Sequence, residues 1–123
     1  PANALAIAAA QAVHDVIEDV RLCERAQVLG DRLKARLEGL RAKVPQIADV
    51  RGLGAMVAVE FAGADGAPVP EFTKQVQTRA RDAGLLLLTC GVHANVVRFL
   101  FPLTIEDAVL GEGLDILAAA LQA

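Results

Sequence analysis

The segment DVRGLGAMVAVEF, residues 49–61, decides the fold class because its apolar residues alternate as they do in a β-strand. Successive side chains of an extended chain point to opposite faces. One predicted face is apolar throughout and consists of Leu53, Ala55, Val57, Val59 and Phe61. We expect helices to cover this face. The opposite face is small near its start, where Gly52 and Gly54 would let another backbone come close, and this indicates a partner surface.

Three helical regions are predicted around this strand. Residues 3–44 predict one long helix that is bent or broken near residues 21–24, where the apolar stripe changes phase, and that ends before Pro45. The stripe of its second half is Ala26, Leu29, Leu33, Leu37 and Leu40. Residues 72–83 predict a short helix with Phe72, Val76 and Ala80 on one face. A last helix is predicted from an N-cap at Thr104 to about Leu121, with these residues inside: Val109 or Leu110, Leu114, Leu117 and Leu121.

Two further strands complete the predicted architecture. Residues 85–89, a run of leucines, predict a strand buried on both faces, and residues 96–101 predict another. The short link between them, 91–95, favours an antiparallel pair. The order of elements predicts an α+β fold in a single domain over residues 1–123. It has a small three-stranded, largely antiparallel sheet, with helices packed mainly on one face and a long or broken N-terminal helix in front.

Composition excludes several classes of partner. A formal net charge of −3, with four Phe and neither Tyr nor Trp, argues against nucleic-acid binding. We expect no membrane partner, because no charge-free run of about 18 apolar residues occurs. The start, residues 1–3, shows no secretory signal, so we expect a cytoplasmic protein. Cys23 and Cys90 are expected to be reduced packing thiols.

Arg98 is the one candidate binding residue that the sequence pattern singles out. It lies in the predicted strand 96–101, where every neighbour is apolar. A guanidinium cannot lose its charge, so it must reach water or meet an anion. A guanidinium held by a rigid strand is suited to bidentate hydrogen bonding with a carboxylate. The alternative is an edge-strand arginine that extends to solvent or pairs with a glutamate of its own domain.

The remaining candidates form no catalytic or metal-binding set in the sequence. Gly52 and Gly54 lack the third glycine and the Lys-Ser/Thr pair of nucleotide-binding loops. His14 and His93 are isolated, although His93 could line a cleft. The lysines lie among charged helical neighbours rather than in the apolar setting of Schiff-base chemistry, and we predict that they are solvated: Lys34, Lys43 and Lys74.

Several segments, read in order, resemble the C-terminal end of class III aminotransferases and together cover essentially the whole chain. They are NALA at 3–6, VRGLGAM at 50–56 leading to Glu60, ARDAGL at 80–85, LTCG at 88–91, NVVRFL at 95–100 and PLTIED at 102–107. The TCG and PLT versions are most similar to 4-aminobutyrate aminotransferases, and acetylornithine and ornithine aminotransferases are the nearest alternatives. The chain departs from the family's usual Gly-Asn-Pro at residues 2–4, where the first helix starts.

The resemblance implies a fold-type I enzyme, homodimeric, whose large domain binds pyridoxal 5'-phosphate through a Schiff-base lysine that this chain lacks. It implies that Arg98 takes the position of the family's arginine for a substrate carboxylate. The parent enzyme would move the amino group of 4-aminobutyrate to 2-oxoglutarate, giving succinate semialdehyde and glutamate. The chain alone is expected to contain no catalytic or cofactor-binding residue, to bind no cofactor and to be inactive.

Two other functions remain open at the level of the sequence. The chain could be a stand-alone module that holds a small carboxylate through Arg98. It could instead be an interaction protein that uses the small surface around Gly52 and Gly54.

Overall fold

The computed structural model describes residues 3–123, which form four helices and four strands. The elements are, in chain order, α1 (Ala4–Asp19), α2 (Leu22–Leu40), β1 (Ile47–Leu53), β2 (Met56–Phe61), α3 (Pro70–Asp82), β3 (Leu88–Cys90), β4 (Val96–Phe99) and α4 (Asp107–Gln122). The strands form one sheet in the order β1-β2-β4-β3, and every neighbouring pair is antiparallel. The predicted α+β class and the antiparallel pairing of the last two strands are confirmed.

The predicted number of strands is wrong, because residues 49–61 form a hairpin and not one strand. A two-residue turn at Gly54 and Ala55 separates β1 from β2, and Gly54 has the positive φ of +54° that a glycine-first tight turn uses. Leu53 therefore lies directly opposite Met56, on the same face of the sheet. Leu53 was predicted to be covered by helices, and its 80% exposure follows from this reversal.

The long N-terminal helix is broken where the phase shift predicted. Arg21, between α1 and α2, adopts the left-handed conformation with φ of 52° and ψ of 48°. Pro1 and Ala2 lie outside the described residues. The prediction of no secretory signal and part of the departure from the family motif fall on these two residues. Asn3 caps α1, because its side-chain oxygen accepts hydrogen bonds from the N–H groups of Leu5 and Ala6 at 3.0 and 3.3 Å.

Helices α2, α3 and α4 bury one face of the sheet, which we call the inner face. Val57, Val59 and Phe61 of β2 and Val97 and Phe99 of β4 supply its side chains. The predicted apolar positions of the helices pack on them, and the buried ones are Leu29, Leu33, Leu37, Leu40, Val76, Ala80, Leu110, Leu114, Leu117 and Leu121. The ring of Phe72, half-buried, meets Phe61 edge-on with 5.2 Å between ring centroids.

Two boundary predictions fail at the ends of the last strands and helix. The leucine run 85–88 is not a strand buried on both faces: β3 begins only at Leu88, and Leu86 is 84% exposed. Helix α4 begins at Asp107 with Glu106 in the N-cap position, so Thr104 does not cap it. Among the described residues, no helix is long and apolar enough to cross a membrane.

Candidate functional site

The face of the sheet opposite the helices, the outer face, carries the candidate site. Strand register and alternation place these residues on it: Asp49, Arg51, Leu53, Met56, Ala58, Glu60, Leu88, Cys90, Val96 and Arg98. Several of its apolar side chains are largely exposed, with Leu53, Met56 and Leu88 more than half accessible. The outer face thus differs from the inner face in having no helix of the described chain over it.

Arg98 lies near the middle of the outer face. Its strand, β4, is flanked by β2 and β3, so Arg98 is not on an edge strand. Its cross-strand neighbours are Ala58 on one side and Leu88 on the other. The side chain is exposed, and within residues 3–123 it makes neither an ion pair nor a side-chain hydrogen bond. The guanidinium is therefore available to an anion from outside the chain.

A second arginine of the outer face, Arg51, pairs with two carboxylates. Its Nη1 donates to Asp49 Oδ2 at 2.7 Å and to Glu60 Oε2 at 2.8 Å. The hydrogen bond to Asp49, followed by that to Glu60, raises the pKa of Arg51 above its ordinary value. The sequence pattern gave no role to this group, although Asp49 and Arg51, two residues apart on a strand, necessarily share a face.

An apolar cleft of about 330 Å³ adjoins Arg98. It lies between residues 83–88, the end of β4 with the residues that follow it, and α4. Arg98 and Glu112 are the charged residues of its lining, and the remainder is mainly leucine and other apolar side chains. His93, which was predicted as a possible cleft residue, is exposed in the 91–95 loop and does not line this cleft.

The other sequence candidates remain isolated in the structure. His14 Nε2 lies 3.8 Å from Glu18 Oε1, one turn away on the exposed face of α1. No group of three or more His, Cys, Asp or Glu residues among those described could hold a metal ion. Both cysteines are free, and Cys23 is exposed, so the prediction that it is a packing thiol is wrong. Glu18 is thus the acidic neighbour of His14, and neither histidine joins a metal-binding group within residues 3–123.

The glycines of the β1–β2 hairpin serve a contact inside the chain. A Cβ atom placed on Gly30 of α2 would lie 1.8 Å from the carbonyl oxygen of Gly54. A Cβ atom on Gly52 would lie 2.3 Å from the carbonyl oxygen of Met56, in the same hairpin. The close backbone approach that the glycines predicted is thus to the chain's own helix and strand, which corrects the inference of a partner surface at Gly52 and Gly54.

Comparison with known proteins agrees with this architecture. The family described as Aminotransferase class-III matches residues 1–121. The chain therefore belongs to the class III aminotransferases. It is 53% identical to the 5-aminovalerate aminotransferase DavT of Pseudomonas aeruginosa over 116 residues, which are 93% of this chain and 27% of that protein. It is 46% identical to the 4-aminobutyrate aminotransferase GabT of Escherichia coli over 118 residues, which are 94% of this chain and 28% of that protein.

A solved structure supports the same fold. An amine transaminase from an uncultivated Pseudomonas species, in the PLP-bound internal aldimine form, superposes with a TM-score of 0.79 at 28% identity. The match covers 93% of this chain and 26% of that one. The chain thus spans about a quarter of the length of the relatives it matches, and its fold is that of a segment of fold-type I aminotransferases.

The residues of this chain do not fit a complete site for pyridoxal phosphate. An internal aldimine requires a lysine amine directed into a pocket. Lys34 pairs with Asp31 at 3.3 Å on α2, and Lys43 and Lys74 are exposed. None of the three lines the cleft beside Arg98. Arg98 is the cationic side chain of this cleft, and the lysines of residues 3–123 lie away from it.

Proposed function

We propose that this chain is the C-terminal domain of a pyridoxal-phosphate-dependent transaminase and that Arg98 binds a carboxylate of its substrates. The parent enzyme moves the amino group of 4-aminobutyrate to 2-oxoglutarate, giving succinate semialdehyde and glutamate. Its large domain supplies the cofactor lysine, and the chain alone is inactive. The single observation that carries the proposal is Arg98 itself: within residues 3–123 it is exposed and unpaired, and it lies on a central strand, on the outer face that no helix of this part of the chain covers.

The physical role of Arg98 follows from its setting. A planar guanidinium presents two parallel N–H donors that match a carboxylate. Its neighbours on the sheet, Ala58 and Leu88, carry no charge that would compete for it. Strand β4 is bonded on both sides, so the Cα of Arg98 is fixed by two strands. Arg98 therefore fixes one end of a substrate, which leaves the amine at the other end to be directed towards the reacting group.

A second candidate substrate, 5-aminovalerate, is favoured by the relative from Pseudomonas aeruginosa that bears its name. It differs from 4-aminobutyrate by one methylene between the amine and the carboxylate. Both are ω-amino acids and both need a cationic partner for the carboxylate. Comparing kcat/KM for the two substrates on the full-length enzyme decides between them.

The test of Arg98 is steady-state kinetics of the full-length enzyme carrying Arg98→Ala. We expect KM for 4-aminobutyrate and for 2-oxoglutarate to rise roughly tenfold to a hundredfold, since a hydrogen bond to a charged group is worth about 1.5–3 kcal/mol. Arg81→Ala is the matched control, because Arg81 is an exposed arginine paired with its neighbour Asp82. Unaltered KM values in Arg98→Ala would remove Arg98 from the site.

The inactivity of the chain alone has its own test. We expect no transamination and no aldimine absorbance when the 123-residue chain is mixed with pyridoxal phosphate. Borohydride trapping of one cofactor on one lysine would contradict this. Saturable binding of glutamate to the chain, measured by calorimetry, would instead favour a stand-alone carboxylate-binding module.

The resemblance also supports a cytoplasmic homodimer as the working form of the parent enzyme, with its own large domain and its small-molecule substrates as partners. Sedimentation of the full-length enzyme tests the dimer, which should persist on dilution through the micromolar range.

A further inference from the structure

The two arginines of the outer face are placed symmetrically about strand β2. Ala58 lies directly opposite Arg51 on β1 and directly opposite Arg98 on β4. Glu60, two residues along β2 on the same face, is therefore a diagonal neighbour of both arginines. Diagonal cross-strand neighbours lie about 7–8 Å apart, which is within reach of long side chains. By strand geometry alone, Glu60 is able to pair with either guanidinium.

In the structure Glu60 pairs with Arg51. The Arg51 Nη1 to Glu60 Oε2 distance is 2.8 Å, and the same nitrogen lies 2.7 Å from Asp49 Oδ2. The carboxylates of the outer face are Asp49 and Glu60, and Arg51 binds both. Val96 on β4 lies directly opposite Glu60, and Cys90 on β3 lies directly opposite Val96; neither carries a charge. Glu60 is thus the outer-face carboxylate nearest to Arg98 and the one internal competitor for it on this face of the described chain.

We propose that Arg51 is a positioning residue for carboxylate binding, because it holds Glu60 away from Arg98. Asp49 lies directly opposite Glu60, and like charges in directly opposed positions repel. Arg51 bridges the two carboxylates and cancels this repulsion. Without Arg51, the repulsion from Asp49 directs Glu60 to its other diagonal neighbour, Arg98. An ion pair between Glu60 and Arg98 would then compete with the substrate. This inference rests on the proposed function of Arg98.

The test is a set of variants in the full-length enzyme, read as the ratio of KM for 4-aminobutyrate to KM for butylamine, an amine without a carboxylate. Arg51→Met should raise the ratio roughly twofold to fivefold, the range expected for competition by one exposed ion pair. Arg51→Met combined with Glu60→Gln should restore the ratio, because the competitor has lost its charge. A general loss of structure would change both KM values and would leave the ratio where it was.

The matched control is Arg51→Met combined with Asp49→Asn. This pair of changes removes the repulsion that would direct Glu60 to Arg98 but leaves Glu60 charged and able to pair with it, so the ratio should fall only part of the way towards that of the unaltered enzyme. Restoration by Asp49→Asn as complete as that by Glu60→Gln would overturn the inference, since the network would then act only through strand stability. An unchanged ratio in Arg51→Met, together with a raised ratio in Arg98→Ala, would also overturn it while leaving the function of Arg98 intact. No change in either single variant would reject both.

Discussion

Helices α1 and α2 follow one another in the chain and are of similar length, 16 and 19 residues, yet they differ completely in packing. Both have apolar residues at helical spacing. Helix α2 buries Leu29, Gly30, Leu33, Leu37 and Leu40, whereas α1 buries no residue. The comparison teaches that helical periodicity establishes the helix and its apolar side, while burial depends on which elements the fold brings to that side.

The reason for the difference is the set of contacts that α2 makes with the sheet and with α4. Gly30 lies against the turn of the β1–β2 hairpin. Arg25 and Arg36 reach α4, where they donate to Asp107 Oδ1 at 2.8 Å and to Asp115 Oδ1 at 2.7 Å. The apolar side chains of α1 have no such neighbours, and Leu5 is 79% exposed. In the proposed parent enzyme, this side of α1 is available to the rest of the protein.

The largest effect should separate a core position of α2 from an apolar position of α1. Leu33→Ala should lower the free energy of unfolding of the chain by about 2–5 kcal/mol, because Leu33 is buried and its loss leaves a cavity. Val13→Ala, at a position 59% exposed, should change it by no more than about 0.5 kcal/mol. Urea unfolding measures both. Equal effects would mean that α1 belongs to the same cooperative unit as the core.

Two glycines of α2 provide the next comparison. Gly30→Ala should destabilise the chain by about 1–3 kcal/mol or more, because the added methyl group would collide with the Gly54 carbonyl and force α2 away from the hairpin. Gly39→Ala, in the same helix with open space around it, should stabilise by about 0.5–1 kcal/mol. Thermal unfolding of both variants gives the sign of each change. A neutral Gly30→Ala would contradict the close contact.

The link between α2 and α4 should show a pH dependence. The hydrogen bond from Arg25, then its charge and that of Arg32, lowers the pKa of Asp107 below its ordinary 3.8. A carboxylate with a lowered folded-state pKa stabilises the fold above its unfolded pKa and loses that contribution as the pH falls through the folded value. Asp107→Asn should therefore lower the urea midpoint near neutral pH, and the difference from the unaltered chain should shrink below about pH 3.8. A difference that persists unchanged at pH 3 would exclude this link.

The smallest effect is expected at the cap of α1. Asn3→Ala removes the side-chain acceptor for the N–H groups of Leu5 and Ala6, which is worth about 1 kcal/mol to a helix end. Since α1 buries no residue, the loss should appear as reduced helical circular dichroism without a shift of the cooperative unfolding midpoint. A shift of that midpoint would show that α1 is coupled to the core.

The sequence predicted most of the elements because their apolar spacing is regular. The break near Arg21, the buried leucines of α2 and the antiparallel pairing of β3 with β4 all follow from periodicity and loop length. The hairpin was missed because alternation continues through Gly54-Ala55 without an Asn-Gly or Asp-Gly pair. Gly54, as the first residue of a two-residue turn, was the feature of the sequence that indicates the hairpin. The turn places Leu53 on the outer face, opposite Met56.

Arg98 could be selected from sequence because a permanent charge among apolar neighbours is unusual. The Arg51 network could not, because Glu60 and Arg51 are nine residues apart and meet only through the hairpin register. In a single strand over residues 49–61, Glu60 shares a face with Met56 and Ala58, and Arg51 lies nine residues away along the strand, too far to pair with it. Strand pairing, and not composition, creates the charged cluster.

Strand β1 also has a consequence for how molecules of this chain meet one another. It forms one edge of the sheet, and its pairing shifts register between Ile47 and Asp49. An edge strand with an interrupted register and charged side chains is a poor template for another strand. Even at high concentration, copies of this chain should therefore not pair through the β1 edge into continuous cross-β ribbons. Any association between copies should use side-chain contacts and not backbone pairing.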